Sequence, residues 1–453
     1  MHPLLPGNRD NPSSRSPFPR MKTRSSLHFV KVAASVVLLS VPSANAAWYY
    51  WDTNGGTSGL GNTAGTWGSS SFLVSFGAGN RGIYTGTINP GSGPTGANDF
   101  ISFGSINMAL GSTASTIGTT GTLNINTIIS ALGQGSQGVT VNSGGTINLA
   151  GTSPTIYSLN TGTNTIGANL SGTAGMTAGG SGTLTLTNAS NSLTGTVAVT
   201  GGGRLNLGDG TTGGFTATTN GLTFNAGGGT FNLATASGGS QTMGALSFSA
   251  GDGTVISTAA SGAATQTLTL DSFNARTAGA TGNFELATNT TAADNQIVLT
   301  SATNAPVDDS GSNDPGVFFG GSEYARYDTT NNYFRAVDYG TDTNAAALVS
   351  GTDIGATSSA TDVKLSGAIT GQTATSANTI NLGANDFTFD NAGVSLGVNG
   401  ILSAGSGSAT ISNGTNASSI QTTGSAGELV VRVNGPSDAL SIAPSIVDNV
   451  GSS

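Results

Sequence analysis

The segment "VDDSGSNDPGVFFGGSEYARYDTTNNYFRAVDYGTD", Val307 to Asp342, gathers the side chains best able to do chemistry. It holds four of the eight tyrosines, Tyr324, Tyr327, Tyr333 and Tyr339. It also holds Arg326 and Arg335 with the carboxylates of Glu323, Asp328 and Asp338. An aromatic face beside a guanidinium and a carboxylate suits a sugar, which stacks on the ring and hydrogen-bonds to the charged groups. Tyr324, Arg326, Tyr327 and Asp328, where the three kinds converge, are the candidate glycan-contact residues. The competing reading is an excursion that packs its aromatics against the body and leaves ion pairs at the surface.

Other sites fare worse. "DDSGSND" (308–314) has oxygen ligands on a turn, as calcium requires, but lacks the spacing of a known calcium loop. "TGGGRLNLGDG" (200–210) has glycines without a dinucleotide fingerprint, since no helix follows. Both histidines, His2 and His28, precede residue 47, and the chain has no cysteine. The rest therefore lacks the parts of a Ser-His-Asp triad, a cysteine nucleophile or a zinc site with nitrogen and sulfur ligands. No catalytic residue, cofactor or metal is expected. A lyase needs a strong base, yet Lys364 is the only lysine after residue 46. A glycosidase needs two carboxylates flanking one bond, and here the acids are dispersed. The sequence favours a non-enzyme. The alternative is a β-helix carbohydrate-active enzyme, a polysaccharide lyase or glycosidase, or a glycan-binding module.

What precedes the body bears on delivery. "MKTRSSLHFVKVAASVVLLSVPSANA", Met21 to Ala46, has a basic start, an apolar run from Val32 to Val41 and a small-residue site, Ala44-Asn45-Ala46. This is the pattern of a secretory signal peptide, and the run is too short to span a bilayer. Cleavage is expected between Ala46 and Ala47. Arg9, Arg15, Arg20, Lys22, Arg24, Lys31 and Asp10 leave with residues 1–46, so 7 basic and 21 acidic residues remain, a net charge of −14. A chain so poor in cations is not expected to bind nucleic acid or to carry a transmembrane segment.

The elements that must position these residues are strands. Charged residues make up only 8% of the chain and glycine numbers 71, against about 25% charged and 7% glycine in ordinary domains. A short phrase returns: "GTLNI" at Gly121, "GTINLAG" at Gly145, "GTLTLTN" at Gly182, "GRLNLGDG" at Gly203, "GLTFNAG" at Gly221, "GTFNLAT" at Gly229 and "GALSFSAG" at Gly244. Its alternation of apolar and polar residues is that of a strand, and Gly, Asn and Asp bound it as turn residues. Read as one phrase per coil, the mean spacing of about 20 residues fits three short strands with tight turns. The fold expected is all-β, a right-handed parallel β-helix or β-solenoid. It would have about 16–20 coils and be about 80–100 Å long, at the usual strand spacing. A solenoid must close its ends, and "WYYWDTNGGTSGLGNTAGTW", with Trp48, Trp51 and Trp67, is the expected aromatic N-terminal cap. The division is then leader 1–46 with the signal peptide at 21–46, cap and first coils 47–110, repeat solenoid 111–306, aromatic and charged excursion 307–345, and further coils 346–453.

The cap segment resembles the N-terminal opening of large bacterial proteins carrying the autotransporter-associated β-strand repeat. "GTLTLTNASNSLTGTVAVTGGGRLNLGDG" (182–210) is similar to that repeat: strand, Asn-rich corner, Thr/Val strand, Gly corner, Leu-x-Leu strand. "YARYDTTNNYFRAVDYGTDTN" (324–344) and "GELVVRVNGPSDALSIAPSIVDNVGSS" (427–453) resemble segments that precede repeat arrays in such proteins. The resemblance implies a passenger with a right-handed β-helix, exported by type V secretion. Such a protein is secreted, displayed at the cell surface or associated with the outer membrane, and serves adhesion or the surface matrix without catalysis. Its partners would be surface polysaccharide or other cells. A translocator barrel needs about ten-residue strands with a lipid-facing apolar side. None is evident after residue 346, so the array is expected to be truncated.

The signal-peptide reading predicts that exported protein begins Ala-Trp-Tyr-Tyr, from Ala47. N-terminal sequencing of material recovered outside the cytoplasm checks this, and an intact Met1 or Met21 terminus there would refute it.

Overall fold

The computed structural model describes residues 138–448, apart from 150, 153, 160–161, 237, 259–264, 287–294, 308–312 and 425–426. Ahead of residue 138 it describes only the backbone of seven strands, between Trp48 and Ala131. The described residues are all-β, with no helix, and their strands pair almost entirely in parallel. The leader, the Ala46–Ala47 site and Trp67 lie outside the described residues.

One turn of the chain shows how the sequence builds the stack. Strand Thr183–Leu186 passes through an Asn corner to Ser192–Leu193, then to Val197–Val199. Two glycines at positive φ, Gly201 (φ 78°) and Gly202 (φ 77°), turn the chain into Arg204–Leu207. That last strand lies parallel on the first, Thr183 against Arg204 and Leu186 against Leu207. Three sheets result. In one, Thr165 pairs Thr185, Thr185 pairs Asn206, Asn206 pairs Asn232, Asn232 pairs Ile256 and Ile256 pairs Glu285. The coils there run from 20 to 29 residues by those pairings.

The recurring phrase is not one per coil. "GTLNI" and "GTINL" belong to one sheet, "TLTL", "RLNL" and "GTFNL" to a second, "LTF" and "LSF" to a third. The phrase marks any buried strand ended by a turn, whichever face it occupies. Its average spacing therefore does not measure a coil.

Inward side chains stack on their counterparts. Leu184, Leu205, Phe231, Val255 and Phe284 form one row, and Ala178, Val199, Phe224 and Phe248 another. All are essentially excluded from solvent, in one continuous core. Opposite the stacked rings of Phe224 and Phe248, 5.3 Å apart, the backbone carries Gly229, Gly253 and Gly282 in register. A Cβ on Gly282 would come within 2.4 Å of the Phe248 ring. Glycine is there because the ring occupies the space. At the corners, amides tie coil to coil. Buried Asn191 accepts from the Leu170 N–H (2.9 Å) and donates to the Gly214 carbonyl (3.0 Å), offsetting what a buried polar group costs.

The stack is neither single nor as long as the sequence suggests. In the twelve-stranded sheet ten strands pair in parallel, ending at Val317–Phe319. Glu323–Asp328 and Tyr333–Ala336 then add antiparallel. A second stack follows, with its own core around Ile380, Phe387, Leu396 and Ile401, and its sheets carry about four coils rather than the six to ten implied by 16–20 in all. This second stack folds back. Asp362 meets Arg326, Glu428 meets Arg276 and Arg432 meets Asp252, so advancing along it retraces the first stack. At the other end Trp48–Trp51 lies one strand in from the sheet edge, and Leu73–Phe76 forms the edge by antiparallel pairing. The side chains of this expected cap lie outside the described residues.

Replacing Gly282 by Ala should destabilise the fold by about 1–3 kcal/mol, the usual cost of overpacking. Adding Phe248→Leu to that variant should recover part of the loss. Urea midpoints of the two single variants and the double variant test the coupling.

Candidate functional site

Two places carry polar chemistry. The first is the segment singled out in the sequence, which is a hairpin. Its strands alternate sides, so Tyr327 turns toward the first core while Tyr324 and Arg326 turn toward the second stack. Tyr327 Oη donates to the Leu299 carbonyl (3.1 Å) and accepts from the Leu299 N–H (3.0 Å). Phe334 lies flat on Phe284 with centroids 3.8 Å apart. Tyr324 stacks at 5.3 Å on Phe318 within a third apolar cluster that also takes Leu402 and Val430 of the second stack.

Arg326 is wholly buried. It donates to the carbonyls of Val307 and Thr343 and, at 2.8 Å, to Asp362 Oδ2, which is also wholly buried. The other Asp362 oxygen accepts from Asn378 (2.9 Å) and Thr379 (2.7 Å). Burial pushes the Asp362 carboxyl up, against the pull of these donors and the guanidinium. Burial likewise raises the phenol of Tyr324, whose Oη has no partner. Asp328 serves the hairpin turn. It accepts from the N–H groups of Thr330 (3.0 Å) and Asn331 (2.7 Å) and from Arg335 Nε (3.0 Å), while Arg335 grips Asp342 through both Nη atoms (2.7 and 2.8 Å).

The structure thus brings Tyr324, Arg326, Tyr327 and Asp328 together but encloses them. Each is 6% exposed or less. The sequence expectation of a glycan surface on these four does not match their placement: they hold core, carbonyl and turn contacts and present no platform. Their density reflects a junction that must bury rings and a cation where two stacks meet.

The second place is a groove of about 370 Å³ on the outward face of strands Thr163–Ile166, Thr183–Leu186, Arg204–Leu207 and Gly229–Leu233. Its floor is the row Thr165, Thr185, Asn206, Asn232, joined by hydrogen bonds. Asn232 donates to Asn206 Oδ1 (3.0 Å), Asn206 to Thr185 Oγ1 (3.1 Å), and Arg204 Nε to the same Asn206 Oδ1 (2.7 Å). Asn232 is 4% exposed and its Oδ1 has no partner. Arg204 stands half-buried on one wall, its basicity lowered by burial against the raising influence of Glu285. Asp209 closes one end. Burial pushes its carboxyl up, but hydrogen bonds from Thr211 and Thr212 prevail and hold it below the usual carboxylate range. The sequence reading weighed this stretch only as a nucleotide loop and missed it. The signal available was one arginine inside an otherwise uncharged repeat. Among the described residues no cluster of three or more His, Asp or Glu is placed to hold a metal.

Asp328 yields a pH prediction. Burial pushes its carboxyl up, but the donors of Asn331 and Arg335 outweigh burial and hold it at about 2, below the ~3.9 of an unfolded aspartate. Its contribution is complete above the unfolded value and is lost as pH falls through that value toward the folded one. The stability gap between the wild type and Asp328→Asn should be constant from pH 5 to 7 and close as pH falls from about 4 to about 2, measured by urea unfolding at each pH.

No family model, curated protein or solved structure matches this chain.

Proposed function

We propose that the chain is an exported, non-catalytic passenger, a scaffold secreted or displayed at the cell surface or outer membrane. Its stack would have the right hand of known parallel β-helices, and the tryptophan-rich opening would be its cap. The reading draws on the secretory signal pattern and the resemblance to autotransporter-associated repeats. One structural observation carries most weight: the carboxylates that meet cations are spent on holding the fold. Asp362 answers Arg326, Asp328 and Asp342 answer Arg335, Glu323 answers Lys364, Asp314 and Glu428 answer Arg276, and Asp252 answers Arg432. Hydrolysis needs one carboxylic acid with a raised pKa and a partner carboxylate facing a substrate. The raised carboxyl, Asp362, is sealed in the junction. The solvent rows along the coils are mostly hydroxyls and amides, which suit display and weak repeated contact rather than turnover.

Purified protein from Ala47 onward should release neither reducing ends nor unsaturated products from neutral or acidic polysaccharides. Turnover that disappears on replacing a single carboxylate would overturn the proposal in favour of a carbohydrate-active enzyme.

A further inference from the structure

We infer that the groove between Thr163 and Ala234 binds an extended, uncharged polysaccharide chain by its hydroxyl edge. This deepens the non-catalytic passenger reading and rests on it. Three groups in the groove are incomplete as they stand, and all three ask for hydroxyls. Asn232 is nine-tenths buried with its Nδ2 committed to Asn206, which leaves Oδ1 an acceptor without a donor. A buried acceptor left unpaired costs free energy that an incoming O–H would recover. Arg204 is the only cation among the described residues, apart from those in masked segments, that makes no ion pair. Its Nε is held by Asn206 at 2.7 Å, which fixes the guanidinium plane and leaves the two Nη groups for a pair of neighbouring hydroxyls. Asp209 Oδ1 is committed to the N–H of Thr211 (2.9 Å), the hydroxyl of Thr211 (2.7 Å) and the N–H of Thr212 (2.9 Å), so Oδ2 is its remaining acceptor.

The same groups set the ligand class. A single cation stands against Asp209 nearby and Glu285 further along, on a chain of net charge −9, so an anionic chain meets net repulsion. No aromatic ring lines the groove, so recognition falls to hydroxyls and not to a sugar face. The groove crosses four successive coils, each about 4.8 Å from the next, and that spacing is close to the advance of one hexopyranose in an extended chain. Polar rows repeating at this step meet the same hydroxyls on successive sugars.

The test is calorimetric titration of cellohexaose, a neutral extended hexasaccharide, into the protein from Ala47 onward, with hexagalacturonate as the anionic counterpart. Saturable binding of cellohexaose is expected, at least tenfold tighter than hexagalacturonate. It should weaken about tenfold in Arg204→Gln and in Asn232→Leu, the loss of a hydrogen bond involving a charged or buried group. Arg204 is half-buried at the rim, so the Arg204→Gln variant keeps the test valid if Asn232→Leu fails to fold, which circular dichroism reports. Absence of saturable cellohexaose binding, equal or tighter binding of hexagalacturonate, or undiminished binding by Arg204→Gln would overturn the inference. Chromatography of the titrated sugar separates the two readings: cleaved cellohexaose would overturn the non-catalytic proposal and leave the site in place.

Discussion

A stack of parallel strands has no natural end, because its last coil offers unpaired N–H and C=O groups and an open apolar core. The rest of this structure follows from how that end is closed. After the tenth parallel strand of one sheet, the chain reverses into the hairpin Glu323–Asp328 and Tyr333–Ala336. Phe334 seals the core by lying on Phe284, and Tyr327 satisfies both backbone groups of Leu299. A strand has two faces, so the hairpin's other face presents Tyr324 and Arg326. A wholly buried guanidinium is tolerable only opposite a carboxylate with further hydrogen bonds, and Asp362, held by Asn378 and Thr379, meets that need. Asp362 opens the second stack. The closure of one stack thereby fixes where the next begins and makes it fold back. Antiparallel pairing closes the sheet edge at Leu73–Phe76 as well.

Charge is scarce in this chain, and the seam takes most of it. Arg276 bonds Asp314 and Glu428, Lys364 bonds Glu323, and Arg432 reaches Asp252 while lying 4.7 Å from the Phe318 ring. Partly buried pairs of this kind add little net stability but penalise wrong alignments, since a slip strands a charge. Two low-charge stacks with similar apolar and hydroxyl surfaces have few other means of choosing a register. Along the coils themselves, where ladder pairing already sets the register, charges are nearly absent.

The coil at 182–210 was fully legible in the sequence, because alternation, the Asn corner and the paired glycines each name a local geometry. Boundaries 307 and 345 were also legible, as a change of composition. Their meaning was not. Tyr324, Arg326 and Tyr327 look alike on a binding platform and in a junction, since both gather rings and cations; only the partner separates them, and Asp362 lies 36 residues beyond Arg326. The coil count failed for a related reason. The phrase encodes a buried strand between turns, which every face of a coil requires. The fold-back left no periodic trace, because it rests on single long-range pairs such as Arg276 with Glu428, 152 residues apart.

The groove has a position that the stack's geometry explains. Its floor row runs Thr140, Thr165, Thr185, Asn206 and Asn232 through coils of 20 to 26 residues. The next member is Ile256, only 7% exposed, followed after 29 residues by Glu285. Short coils spend their residues on three strands and tight turns, so outward rows stay open and must be polar. Longer coils have residues to spare, and there the same row position carries a buried isoleucine. An open polar row thus stops where the coils lengthen. The unpaired amide oxygen of Asn232 lies at that boundary: the preceding Asn206 takes its Nδ2, and the following isoleucine has no polar group to offer its Oδ1. What completes that amide must come from outside the ladder, and it falls where Arg204 and Asp209 already narrow the face into a groove.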